Sequence, residues 1–255
     1  MGWDGSARDQ GTFCFSCHTA VPYALARPKL SAALAEGMSA PETRLIDDVR
    51  RRVRLWDETL PFYTDQRYGT GKAAQSRGTE AVLSALMLAW DDADRGQLSQ
   101  DTVAAFDHMW AEQLASGDNQ GAWSWLDFDL APWEVPSAQY YGAALGALAV
   151  GIAPERYQAR PQIQGHLQQL RDYLLREYPA QSLHNRLILL WASTKLPGLL
   201  DTGQRQSLVE EVRQAQNTDG GWSLSKLLAR SSRRKALLRD PDGNLVHIFG
   251  PQGVI

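Results

Sequence analysis

Apolar residues recur along most of this chain at the three- and four-residue spacing of a helix face. Between Pro41 and Leu60 they fall at Leu45, Ile46, Val49, Val53 and Trp56, opposite a basic face of Arg50, Arg51, Arg52 and Arg54 that is expected to be solvated. From Glu80 to Asp92 the run Ala81, Leu83, Ala85, Leu86, Leu88, Ala89 and Trp90 is so dense that the helix must be buried around most of its circumference. Asp101 to Ala115 is one-sided, through Val103, Phe106, Met109, Trp110 and Leu114, with Asp101 as the expected N-cap. The alternation then repeats. Ser137 to Ile152 is nearly all apolar and Gln162 to Tyr178 one-sided; Leu183 to Leu196 is apolar and Thr202 to Gln216 one-sided. No strand pattern competes with these helices. Three inner helices, starting near Glu80, Ser137 and Leu183 and each followed by an outer partner, predict an all-α helical repeat with a period of about fifty residues.

Composition adds one signal to this pattern. The chain holds nine tryptophans, and two stand in glycine turns that follow outer helices: Gly121-Ala122-Trp123-Ser124 and Gly220-Gly221-Trp222-Ser223. A glycine there lets the chain leave the helix with positive φ, and the indole then packs on the helix ends. The segment Gln216-Asn217-Thr218-Asp219-Gly220-Gly221-Trp222, with Gln120-Gly121-Ala122-Trp123 as a degenerate copy, resembles the QW repeat motif of the squalene-hopene cyclase and prenyltransferase-β superfamily. The resemblance covers roughly residues 80–225. It implies a ring of inner and outer helices, an α/α toroid, here with too few helix pairs to close. It also implies an apolar cavity suited to an isoprenoid, for which Trp123, Trp125, Phe128, Trp133, Tyr140 and Tyr141 are the candidate lining. Cyclases of this family protonate an alkene with the middle Asp of an Asp-x-Asp-Asp motif. The nearest phrase here, Asp127-Phe128-Asp129-Leu130, lacks the last Asp, which leaves Asp127 or Asp129 as the candidate acid. The Asp, Cys and His zinc set of the prenyltransferases has no counterpart.

A second motif lies outside the repeat. Both cysteines of the chain fall in Cys14-Phe15-Ser16-Cys17-His18, the Cys-x-x-Cys-His spacing of covalent haem attachment. There two thiols add to the porphyrin vinyl groups and the adjoining imidazole meets the iron from the proximal side. Three other readings use the same residues. A thioredoxin-like redox pair calls for a strand-to-helix βαβ context, and Gln10 to Phe13 is a weak strand. A structural zinc needs four ligands, whereas His108, His166, His184 and His247 are scattered singly. Simple packing of two thiols and an imidazole is the third. The leading expectation is haem c bound through Cys14, Cys17 and His18, with Met38, Met87, Met109 or His108 as a possible sixth iron ligand. Haem attachment takes place outside the bacterial cytoplasm, so this reading expects a periplasmic protein. Met1-Gly2-Trp3-Asp4-Gly5 has neither the basic nor the apolar region of an export signal, and without haem the expected location is cytoplasmic.

Charge and hydropathy exclude two classes of function. With 26 basic and 29 acidic residues the net charge is −3, which argues against a nucleic-acid binder. The most apolar stretch, Tyr140 to Ile152, is about 13 residues, short of the roughly 20 needed to span a bilayer. The expected organisation is an N-terminal Cys-x-x-Cys-His segment over residues 1–40, a helical repeat over 41–227 and an irregular basic tail over 228–255. The expected function is a redox or sensing haem protein with a redox partner. The alternatives are an isoprenoid-acting or isoprenoid-binding protein and an interaction scaffold without chemistry.

Overall fold

The computed structural model describes residues 8–15 and 17–228, and the basic tail lies outside the described residues. The chain is all-α apart from a two-stranded hairpin, β1 (Arg8–Asp9) and β2 (Thr12–Phe13). Its helices are α1 (Ala20–Ala33), α2 (Ala40–Arg54), α3 (Asp65–Tyr68), α4 (Lys72–Ala93), α5 (Gln100–Ala111), α6 (Ala138–Ile152), α7 (Gln164–Glu177), α8 (Leu183–Ser193), α9 (Thr202–Ala215) and α10 (Leu224–Leu228). None is long and apolar enough to cross a membrane.

Helix starts follow local chemistry. The Ser39 backbone N–H donates to Glu42, Ser182 caps α8 through Asn185 N, and Asp201 and Gln204 form a reciprocal capping box at α9. The start of α5 differs from expectation: Ser99 is the N-cap, accepting from Thr102 N, and Asp101 in the first turn instead takes the Arg54 guanidinium at 2.7 and 2.6 Å. Helix α2 stops at Arg54, short of Leu60, and α4 begins at Lys72, well before Glu80. Helix α1, whose buried side is Val21, Ala24 and Leu25, adds an element that periodicity did not reveal.

Packing reproduces the inner and outer alternation. Helix α6 lies between α4 and α8, while α5, α7 and α9 pack against α4, α6 and α8 respectively. The C-terminal ends of α4 and α8 meet through Trp90 and Trp191, edge to face with ring centroids 5.8 Å apart. Close approach is bought by small residues: a Cβ on Gly142 would fall inside the Trp125 ring, and one on Gly146 would lie 2.9 Å from Trp123. The two tryptophan turns are built alike. Gly121 (φ +93°) and Gly220 (φ +86°) reverse the chain. The carbonyl of each accepts from a glutamine amide, Gln113 and Gln216 respectively. Each indole N–H then donates to a carbonyl of the preceding outer helix, Trp123 to Met109 at 2.5 Å and Trp222 to Val212 at 2.8 Å. They differ in cover, because Trp123, packed against Gly146 of α6 and Trp110 of α5, is completely buried while Trp222 is 46% exposed.

The N-terminal segment is not separate from this body. Phe15, Cys17, Val21, Ala24 and Leu25 belong to the same hydrophobic core as α4 and α6. Helices α1 and α2 both pack on α4, α2 reaching it through Arg52 to Glu80 and Arg50 to Asp91 and α1 through Lys29 to Asp94.

Candidate functional site

The hairpin that leads into the cysteines turns at Gln10 and Gly11, both with positive φ, as a tight two-residue turn demands. Side chains from α2 and the loop after it hold it down. Asp48 Oδ1 accepts from Phe13 N at 3.1 Å, Arg52 Nη1 reaches Thr12 Oγ1 at 3.3 Å, and Asp9 Oδ2 accepts from Leu60 N at 2.6 Å. Arg52 is fully buried, which corrects its expected place on a solvated face. It follows Leu45 and Val49 at helical spacing, so the 3.6-residue period puts it on their side. There it grips Glu80 through Nε at 2.7 Å and Nη2 at 2.9 Å, donates to the Leu60 carbonyl, and lies over the Phe62 ring at 4.2 Å. Arg77 stands beside the same carboxylate at 3.8 Å and covers Trp56.

Opposite, the loop between α5 and α6 closes on the start of α4. Leu126 N donates to Thr79 Oγ1 and Asp127 N to Gln75 Oε1, while a Cβ on Gly78 would strike the Ser124 carbonyl. Phe128 N and Leu130 N both donate to the Glu134 carbonyl, which turns the Glu134 side chain inward.

Between hairpin, α4 and loop lies a cavity of about 370 Å³. Cys14, Cys17 and His18 all line it, together with aromatic and aliphatic walls that include Phe62, Leu83, Leu126 and Phe128. Cys17 is buried and its Sγ donates to Glu134 Oε1 at 3.7 Å; the Tyr63 hydroxyl donates to the sulfur of Cys14. Neither cysteine is in a disulfide. Burial pushes the Cys14 thiol up to about 12, and burial with the neighbouring Glu134 and Cys14 pushes Cys17 well above the ordinary thiol range. Both are neutral thiols at pH 7, the reverse of the lowered pKa that a redox nucleophile or a preformed zinc thiolate requires. Among the described residues no group of three or more His, Cys, Asp and Glu side chains is arranged to hold a metal ion. His18 is exposed at the rim, stacked on Trp133 with centroids 5.4 Å apart and planes at 28°. Burial also pushes the Glu80 carboxyl upward, against the opposing pull of Arg52.

The structure thus brings Cys14, Cys17 and His18 together with Phe128, and sets the other expected site residues elsewhere. Trp123, Trp125, Tyr140 and Tyr141 are core residues: the Trp125 indole donates to the Trp133 carbonyl and Tyr140 to that of Leu174. Trp133 flanks the rim without lining the cavity. Asp127 and Asp129 do not reach it either, because Asp127 Oδ1 closes a turn onto Asp129 N and Asp129 itself occupies a left-handed backbone position at φ +58°. The carboxylates on the cavity are Glu80 and Glu134, with Tyr63 beside them. Sequence reasoning missed Arg52 and Glu80 as site residues, although each is a charge at an apolar helix position; Tyr63 and Glu134 sit in loops with no periodic signal.

Geometry and packing define an all-α protein with a thiol-bearing cavity between its N-terminal hairpin, α4 and the loop before α6. Compared with known proteins, the chain matches no protein-family model, and no curated protein or solved structure resembles it at a significant level.

Proposed function

We propose that this chain is a c-type haem protein on a helical-repeat scaffold, with Cys14 and Cys17 as the thioether anchors and His18 as the proximal iron ligand. What supports it most directly is that both thiols, neither in a disulfide, and the His18 imidazole line one cavity. The donor set fits the group. Two neutral, unpaired thiols can each add across a vinyl C=C, sulfur bonding to one carbon and the thiol proton going to the other, with no net oxidation. The cavity falls at the lower end of the roughly 300–1,000 Å³ of small-molecule sites. Its rim is open at His18 and at Leu130, which is 56% exposed, so a flat macrocycle can extend past it. When bound, haem supplies an iron centre for electron transfer or small-ligand binding. The protein's part is to orient His18 against Trp133 and to surround the group with Phe62, Leu83 and Phe128, away from water. Export to an oxidising compartment and a redox or sensing role belong to this reading.

The test is intact mass and visible spectrum of the full chain made in a host with c-type maturation machinery, beside a Cys14→Ala/Cys17→Ala control. One added haem mass with a Soret band, both lost in the control, is the expected result. An unmodified mass with no Soret band rejects the assignment.

A second reading draws on the apolar walls around Glu134 and on the helix pairs, which fit an arc of the ring implied by the tryptophan turns. Here the cavity holds an isoprenoid, and the acids in reach are Glu134 and the Arg52-paired Glu80, not Asp127 or Asp129. Mass spectrometry of a solvent extract of the purified protein separates the two, because a non-covalent lipid leaves with the solvent and a thioether-bound haem does not.

A further inference from the structure

The run Arg50, Arg51, Arg52 and Arg54 divides between two faces of α2, because successive residues on a helix stand about 100° apart. Arg52 turns inward to Glu80, whereas the other three line a groove of about 750 Å³ between α2 and the turn that joins α4 to α5. Arg95 enters the groove from that turn. Carboxylates orient three of these four guanidinium groups. Arg54 is held by both oxygens of Asp101, through Nε at 2.7 Å and Nη2 at 2.6 Å. Arg50 reaches from Asp47 on its own helix, at 3.1 Å, to Asp91 on α4, at 2.7 Å. Arg95 shares Asp91 with it and meets Asp92 at 2.8 Å. The Asp91 and Asp92 side chains are only 10% and 1% exposed, so they stand beneath the arginines and not in the open groove. Arg51 is placed by packing: its guanidinium lies on the hairpin turn, where a Cβ on Gly11 would come within 3.3 Å of Nη2.

We propose that this groove binds a ligand carrying two linked phosphate groups, a diphosphate. Its wall presents four positive groups against two negative ones, Asp47 and Asp101, an excess of two in a chain whose net charge is −3. A guanidinium has five N–H donors in a planar fork, and pairing with one carboxylate engages two of them, so each arginine retains donors for phosphate oxygens. Arg50 and Arg54 are one helical turn apart, roughly 5–6 Å at Cβ, and Arg95 joins them from the other wall, a spread that suits two phosphates better than one. The volume lies within the roughly 300–1,000 Å³ of small-molecule sites and leaves room for a nucleoside or other group beyond the diphosphate. The groove uses a different face of α2 from Arg52 and does not depend on the haem assignment.

The test is isothermal titration calorimetry of the full chain with inorganic pyrophosphate at pH 7 and low ionic strength. The expected result is saturable one-to-one binding with Kd below about 1 mM, and about tenfold or more weaker binding of inorganic phosphate. Arg51→Gln/Arg54→Gln, which changes two exposed side chains, should weaken pyrophosphate by about tenfold or more. A loss is also expected in Arg95→Gln, which alters the other wall alone. The control Arg213→Gln/Lys226→Gln removes the same charge from α9 and α10, which do not line the groove, and should bind as the parent does. Titration with ADP separates the sources: tighter binding than pyrophosphate points to a nucleotide, equal binding to the diphosphate alone. No saturable binding of pyrophosphate or ADP, equal affinity for phosphate and pyrophosphate, or equal losses in the two double variants overturns the proposal.

Discussion

The fully buried pair of Arg52 and Glu80 joins the hairpin that carries Cys14 to the helix that floors the cavity, and removing its negative member alone should be costly. Glu80→Gln keeps the shape of the side chain but leaves the Arg52 guanidinium, 0% exposed, against a neutral amide. Breaking a buried pair from one side typically costs about 3–5 kcal/mol. Arg77, the second cation at 3.8 Å, places the cost toward the upper part of that range, since Glu80 is the carboxylate shared by both. Replacing both partners, as in Arg52→Met/Glu80→Met, removes the uncompensated charge. It gives up the bonds to Thr12 and the Leu60 carbonyl, roughly 1 kcal/mol each, and should cost clearly less than the sum of the single changes. Urea unfolding followed by tryptophan fluorescence measures the parent, Glu80→Gln, the single variants Arg52→Met and Glu80→Met, and the double variant at pH 7. A Glu80→Gln loss below about 1 kcal/mol, or single losses that simply add in the double variant, would refute the view that this pair is held ionised in a low-dielectric interior.

Further outcomes follow from the same structure. Burial pushes the Asp48 carboxyl up to about 7 in the folded state, above its unfolded value near 3.8, so its contribution is full below pH 4 and lost as pH rises through 7. Urea midpoints should therefore fall between pH 5 and pH 8, and Asp48→Asn should flatten that slope; an unchanged slope in the variant assigns it to other groups. Gly142→Ala drives a Cβ into the Trp125 ring and should destabilise by at least about 1–3 kcal/mol, whereas Gly165→Ala in α7, where nothing lies within 4 Å, should be neutral or stabilise by roughly 0.5–1 kcal/mol. Equal urea midpoints for the two would contradict the packing described. With both thiols neutral and Cys17 buried, alkylation by iodoacetamide at pH 7.5 should be much slower in the folded apoprotein than in urea, by mass spectrometry; comparable rates would mean the thiols are open to solvent.

The fold was readable where a single period runs long. Ser137 to Ile152 and Leu183 onward became α6 and α8 at nearly the expected limits, because a continuous apolar run has only one way to be buried in a helical stack. Helix α1 was missed since Pro28 and a weak apolar face blur its period, yet three buried apolar residues suffice to seat it once α2 and α4 are present. At the site, Cys14, Cys17 and His18 could be named from local spacing alone. Asp127 was attractive only as part of a phrase; its carboxylate is consumed by the turn that shapes the loop. Glu134, seven residues further on, is turned inward by backbone bonds at Phe128 and Leu130, and such bonds leave no trace in a hydropathy pattern. Arg52 shows the opposite failure: it was grouped with Arg50, Arg51 and Arg54 on a solvated face, although its spacing from Leu45 and Val49 puts it on the buried side.

Cys17 and Glu134, which meet in the finished cavity, stand 117 positions apart in the chain. During synthesis at roughly 5–20 residues per second, the thiols and the imidazole emerge on the order of ten seconds before the wall that will enclose them. For that interval Cys14, Cys17 and His18 belong to a short open peptide, and afterwards to a closed pocket with neutral, shielded sulfur. The order of events in time thus separates two states of one motif, a reactive one before the loop arrives and an inert one after, and any chemistry that must reach both sulfurs has its easiest opportunity in the first.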